Sequence, residues 1–247
     1  MSLKSLSSIV LVSLLGLLAL SIPGCQDSPP EIIVKRNFNP CEHHLFEDPN
    51  RISFTDPKTK LMGYKDKKGH IVIRPQFIMA SEFTEFGIAH VFFESTKWRP
   101  FTIDKTGKVL LENFLFDNGA DYYCNGLSRF VKNGKIGFID RKANIVIPAQ
   151  FEWVTGFVFN VPVAVVGKGC KYVDQGAEYP TLEGGKFGLI NQQGGIIVPI
   201  EFDIEYMKNG TPLLIKENRH YQVVQIGDTY KTKEIVDKNP SATPKLG

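Results

Sequence analysis

Lys135-Ile136-Gly137-Phe138-Ile139-Asp140-Arg141-Lys142-Ala143-Asn144-Ile145-Val146-Ile147 is the stretch whose reading decides the fold. An apolar run with a glycine leads into Asp140, a short polar segment follows, and a β-branched triplet returns. Asp at such a place opens a tight turn, because its side chain caps backbone N–H groups. A residue three positions later takes the left-handed conformation that closes a type I turn with a bulge, and Gly does so most readily. Here that position is Ala143, so Asn144 is expected to adopt the left-handed backbone instead. The triplet has strong strand preference. The stretch therefore predicts a β-hairpin.

The same pattern occurs three more times. Its turn residues are Asp66 with Gly69, Asp104 with Gly107, and Asn191 with Gly194, each followed by an apolar triplet. The turn acids or amides stand at 66, 104, 140 and 191, at intervals of 38, 36 and 51. Four residues beyond each triplet come Phe77, Leu115, Phe151 and Phe202. Pro75, Pro148 and Pro199 lie just after three of the triplets and are expected to end the strand, since Pro has no N–H for a ladder. A third strand follows, centred on Ala89, Ser128, Ala164 and Leu214, which lie 23, 24, 24 and 23 residues beyond the turn acid. This constancy places the extra length of the third interval after Val165, in residues 167–180.

These residues resemble the WG repeat of bacterial proteins, with its Trp-Gly-aromatic-Ile-Asp start, glycine turn, β-branched triplet with Pro, and Gly-Leu-Ala-x-Val strand. Lys135 to Asp140 and Lys186 to Asn191 are the clearest starts, and the likeness runs from about residue 61 to 215. The family Trp is replaced by Met62, Pro100, Ile136 and Phe187, and Phe101 replaces the Gly in the second unit. The resemblance implies an all-β array and no single reaction. A unit of this size cannot bury its apolar face alone, so neighbours must stack. The expected fold is an all-β array of short hairpin or three-stranded repeats, solenoid-like, with a propeller-like ring as the alternative. Units are expected near 61–91, 100–130, 135–166 and 186–215, with a degenerate last strand at 220–226. The repeat domain is taken as 46–228 and a flexible tail as 229–247.

Working outward to the start, Lys4 precedes the uncharged run 9–20, and Ile22-Pro23-Gly24-Cys25 follows. A basic start, a short apolar stretch and a small residue before the cut describe an export signal. The run is shorter than the roughly 20 residues of a spanning helix. The last four residues resemble the bacterial lipobox, which implies cleavage after residue 24 and lipidation of Cys25. Residues 25–45 are then a tether, beginning with the polar, Pro-rich Gln26-Asp27-Ser28-Pro29-Pro30. Gln26 does not resemble an inner-membrane retention signal, so the expected location is the outer membrane or cell surface where the cell has one.

Composition sets the remaining bounds. The 247 residues are 43% apolar and 22% charged, enough for a packed core. A net charge of +3 does not point to nucleic acid. Glycine (22) and Pro (15) suit a turn-rich chain, and much of this excess falls at the same turn and strand end of each unit.

Catalytic patterns are scarce. Cys41-Glu42-His43-His44 has metal-ligand chemistry but no second ligand pair at a zinc-site spacing, so it reads as a polar loop and no metal is expected. Asp66, Asp104 and Asp140 share one place in hairpin turns, which argues for capping rather than acid–base work. Gly184-Gly185-Lys186 lacks the upstream Gly and following Ser or Thr of a phosphate loop. No Gly-x-Ser-x-Gly elbow is present, so no catalysis and no cofactor are expected. Cys41, Cys124 and Cys170 are left for at most one disulfide, and the pairing is not readable. The insertion 167–180 is the candidate binding loop, with Tyr172, Asp174, Glu178 and Tyr179 supplying contacts, because insertions in repeat arrays gather on one face. Residues 92–99, which mix Phe92, Trp98 and Arg99, are a second candidate. The function expected is a membrane-anchored module that binds a protein or glycan of the cell envelope. The alternatives are an envelope-associated hydrolase and a purely structural component.

Overall fold

A computed structural model describes residues 31–34, 41–42, 47–173, 181–206 and 212–235. The proposed signal peptide, Cys25, His43, His44, Asp174, Glu178 and Tyr179 lie outside the described residues. The architecture is all-β, with one short 3-10 turn at Glu94–Thr96. Every pairing between strands is antiparallel, in a meander in which the third strand of one unit pairs with the first strand of the next. Thus Ile88–Phe92 pairs with Pro100–Asp104, Ser128–Lys132 with Lys135–Ile139, and Val163–Val173 with Thr181–Asn191. Ile52–Thr55 plays the third-strand part for the first unit. The result is an open array of three-, seven- and eight-stranded sheets with no closed barrel among the described residues.

The four turns are built alike. Asp66 Oδ1 accepts from the N–H groups of Lys68 and His70, both at 2.9 Å. Asp104, Asp140 and Asn191 do the same for the second and fourth residues after them. Gly69, Gly107 and Gly194 have φ of 84°, 87° and 83°. In the third turn Ala143 itself takes φ 61°, so the expectation for Asn144 is corrected. The Asn144 side chain instead donates to Asp140 Oδ2 at 2.9 Å. Capping by Asp140 holds the turn firmly enough to force a Cβ into the left-handed region.

Proline does not end the strand, contrary to the sequence expectation. Ile71–Phe77, Ile145–Phe151 and Ile196–Tyr206 run straight through Pro75, Pro148 and Pro199. Between the pairs Met62↔Phe77 and Tyr64↔Ile73 the second strand holds two more residues than the first, and Pro75 sits in that bulge. The same register slip occurs at Ile136↔Phe151 with Phe138↔Ile147, and at Phe187↔Phe202 with Leu189↔Val198. A bulged residue gives up its ladder bond, so Pro is tolerated there. The bulge presses on the opposite strand: a Cβ on Gly63, Gly137 or Gly188 would lie 2.6, 2.4 or 2.5 Å from the carbonyl of Ile73, Ile147 or Val198. Glycine and Pro at these positions are two halves of one device.

After the bulge the second strand pairs onward with the third. Met79–Ala80 pairs with Val91 and Phe92, and Trp153–Val154 with Val166 and Gly167. Phe77, Phe151 and Phe202 sit at this hand-over and are buried. Leu115 is not their equivalent, being 45% exposed, whereas Asn113 is buried two residues earlier. The second unit has no Pro and no bulge after its triplet: its pairs Phe101↔Glu112 and Thr102↔Leu111 are in step, and its one register shift lies nearer the turn, between Thr102 and Ile103. Its strand therefore arrives early. Neighbouring turns cap the triplets: a Cβ on Gly107 would meet Ile73 at 3.2 Å, and one on Gly194 would meet Ile147 at 3.3 Å. Two apolar clusters result, one around Tyr64, Phe77 and Phe83, the other around Phe138, Phe151, Phe157 and Phe187.

The two ends also differ from expectation. Within the segment taken as a tether, Glu31–Ile33 pairs with residues 224–226, and Cys41–Glu42 pairs with Tyr123–Cys124. The assumed tail begins with Thr229–Glu234, which pairs with Arg219–Ile226 as a fifth hairpin. The expected degenerate last strand, 220–226, is the first strand of that hairpin.

Candidate functional site

Cys41 and Cys124 face each other in register and form a disulfide, while Cys170 is free and buried. Cys41 is thus not available as a metal ligand, and no metal-holding cluster occurs among the described residues. The two-residue ladder forms a partition. Alternation along a strand sends the sulfurs to one side and Glu42 and Tyr123 to the other, and each side lines a separate cavity.

The sulfur side opens on a cavity of about 260 Å³ with walls formed by Phe114, Phe116, Tyr122, Trp153 and Tyr172. Its polar element is Arg129. The guanidinium donates to both carboxylate oxygens of Asp121, Nε at 2.8 Å and Nη2 at 2.7 Å, and Nη1 reaches the Val154 carbonyl at 3.3 Å. It also stacks 4.1 Å from the Phe114 ring centre and 5.3 Å from that of Phe116. Both ions are nearly buried, so the pair is held by bidentate geometry together with aromatic stacking. Burial raises the Tyr172 hydroxyl above the usual tyrosine range, opposed by the Arg129 charge and by hydrogen bonding with Trp153. At neutral pH this wall presents a phenol, an indole and a charge-compensated floor.

The other side opens on a cavity of about 470 Å³ that includes Glu42, Glu47, Glu82, Asp121 and His90. Its carboxylates are largely engaged: Glu42 with Arg141, Asp121 with Arg129, and Glu82 with the N–H and hydroxyl of Ser53. His90 shares a proton contact with Thr102 Oγ1 at 3.2 Å, and Thr102 in turn donates to Asn113 at 2.7 Å. Burial brings the His90 imidazole down to about 4, with the Asn113 side chain opposing the shift.

Residues 167–173 of the expected binding loop continue the strand Val163–Val173 rather than forming a loop, and Tyr172, the one expected contact residue among them, stands in the aromatic wall, half-exposed. Phe92 and Trp98 lie 6.5 Å apart at the turn between the first two units, and Arg99 pairs there with Glu112. Sequence reasoning missed Arg129 and His90. The signal was available: both occupy the position just after the centre of the third strand, where the third and fourth units carry Val165 and Ile215. A charged or titratable residue at a position that is otherwise apolar marks each cavity.

The chain is an open all-β repeat protein, with its cavities where the N-terminal segment crosses the second unit. A family model described as the WG containing repeat matches residues 62–92, 136–172 and 187–204. Those segments include the Gly–Pro bulges and leave out the whole of the second unit, which has none. No curated protein matches the chain.

Proposed function

We propose that this chain is a binding module of the cell envelope, exported and anchored by lipid at Cys25, and that it takes a neutral glycan in the aromatic cavity. The observation that carries the reading is the convergence of five aromatic side chains on a buried, compensated Arg129–Asp121 pair. Flat rings stack on the apolar faces of sugar rings, and a few fixed polar groups orient a ligand in a concave site. The absence of net charge at the floor favours a neutral partner over an ionic one. Six residues from Cys25 to Glu31 extend at most about 20 Å, which would hold the fifth hairpin close to the bilayer.

Binding of purified envelope glycan fragments, followed by titration calorimetry, tests the site. Tyr172→Ala and Trp153→Ala are expected to weaken binding at least tenfold with the fold intact. Unchanged affinity in both variants would remove this cavity as the site, and capture of envelope proteins alone would replace the glycan by a protein partner. Mass spectrometry of the mature N-terminus tests the anchor: an unmodified Cys25, or cleavage elsewhere, overturns it.

The acid-lined cavity favours a second reading, an envelope hydrolase, because carboxylates from separate segments meet there. Their engagement with Arg129, Arg141 and Ser53 weighs against it. Release of product from envelope glycan by the wild-type chain, abolished in Glu82→Gln, would establish that activity.

A further inference from the structure

Each of the first three units leaves the first two residues of its triplet in solvent, and the fourth leaves the first. Ile71 and Val72, Val109 and Leu110, and Ile145 and Val146 are all between 37% and 55% exposed, and Ile196 of the fourth unit reaches 58%. Exposure of one such residue is ordinary, but an exposed pair repeated at one place in three successive units is a surface. The first and second tips are neighbours in space, as are the third and fourth. Gly107 of the second turn lies against Ile73 of the first unit, and Gly194 of the fourth against Ile147 of the third. Around the third tip, Gly126 approaches Arg141, and Asn125 accepts from Gln192 of the fourth turn at 2.6 Å.

Among the described residues, the charged groups of these tips that are left without a partner are lysines. Asp66, Asp104 and Asp140 turn their carboxylates inward to cap their own backbone. Lys67 and Lys68, Lys108 and Lys142 are exposed beside the apolar pairs. Lys105 and Arg141 are occupied by Asp48 and Glu42.

We propose that the hairpin tips of the first three units form a docking face for an anionic lipid bilayer. The β-branched pairs enter the interface and the flanking lysines meet lipid phosphates. Charge complementarity selects this occupant: apolar side chains ringed by unpaired lysines fit an anionic interface, and each lysine near such a surface adds to its attraction. The inference goes beyond the aromatic cavity and does not depend on lipidation of Cys25.

Hydrogen exchange of the full chain tests it, with vesicles of phosphatidylcholine alone or mixed with phosphatidylglycerol. Protection is expected at residues 66–72, 104–110 and 140–146 with anionic vesicles only, and should fade at high salt. Lys67→Gln, Lys108→Gln and Lys142→Gln should each weaken anionic-vesicle binding about fivefold, and Val72→Ser with Val146→Ser should remove the protection. Vesicle binding through residues 9–25 that leaves the tips unprotected overturns the proposal. So does equal protection on neutral vesicles, or protection that rises with protein concentration without lipid, which would make the face a contact between copies. An unlipidated Cys25 would sink the anchor and leave this result unchanged.

Discussion

At the residue scale, two backbone positions carry the hairpins. Gly137 is fixed by the bulge opposite, where a Cβ would stand 2.4 Å from the Ile147 carbonyl and 2.6 Å from the Ala149 nitrogen. Gly137→Ala is expected to cost roughly 2–4 kcal/mol in urea unfolding, because backbone rather than a flexible side chain must yield. Ala143 is the opposite case. It occupies a left-handed position that Gly fills in the other three turns, so Ala143→Gly should stabilise the chain by about 0.5–1 kcal/mol. A rise in the urea midpoint at unchanged slope checks it. His90 supplies a pH dependence. Its imidazole is lowered from 6.5 to about 4, so between those values the unfolded chain binds the extra proton. Stability should therefore be complete above about 6.5 and fall as pH drops towards 4. His90→Gln should flatten the urea midpoint across that window.

At the element scale, the second unit shows what a repeat becomes without its bulge. The aromatic or aliphatic core position held by Tyr64, Phe138 and Leu189 is here Thr102, bonded to Asn113 and His90. Phe101, in the glycine position, packs 5.8 Å from Phe93 in the edge-to-face manner. A change towards the repeat pattern should hence do harm. Phe101→Gly removes a ring contact and adds chain entropy where no backbone crosses, and is expected to destabilise by roughly 1–3 kcal/mol. Thermal unfolding checks it, and an unchanged or raised midpoint would show that a bulge forms there after all. The unit was legible as a hairpin because Asp104 and Gly107 are local signals. Its altered register was not, because the missing Pro and Gly reveal their meaning only when the strands are paired.

At the scale of the whole molecule, two apolar clusters are joined by the meander, and one covalent link ties the N-terminal segment to the larger of them. The Cys41–Cys124 disulfide closes a separation of 83 residues and fixes the N-terminal segment as the partition between the two cavities. Its loss in Cys41→Ser with Cys124→Ser should cost roughly 2–5 kcal/mol, largely by freeing the unfolded chain. Hydrogen exchange should then show the segment 41–55 and the Tyr64–Phe77–Phe83 cluster opening before the Phe138–Phe157 cluster. Simultaneous opening would mean that the meander alone couples the clusters.

The sequence by itself determined the hairpins, the number and spacing of the units, and the all-β class, because turn capping and left-handed glycines act over a few residues. Tertiary structure alone decided that Pro lies within the strand, that residues 31–33 and 229–234 join the sheets, and which cysteines pair. It also decided that Arg129, Trp153 and Tyr172 share one cavity. Those outcomes depend on strand register and on contacts between segments tens of residues apart, where each side chain's neighbours come from another unit and no local pattern records them.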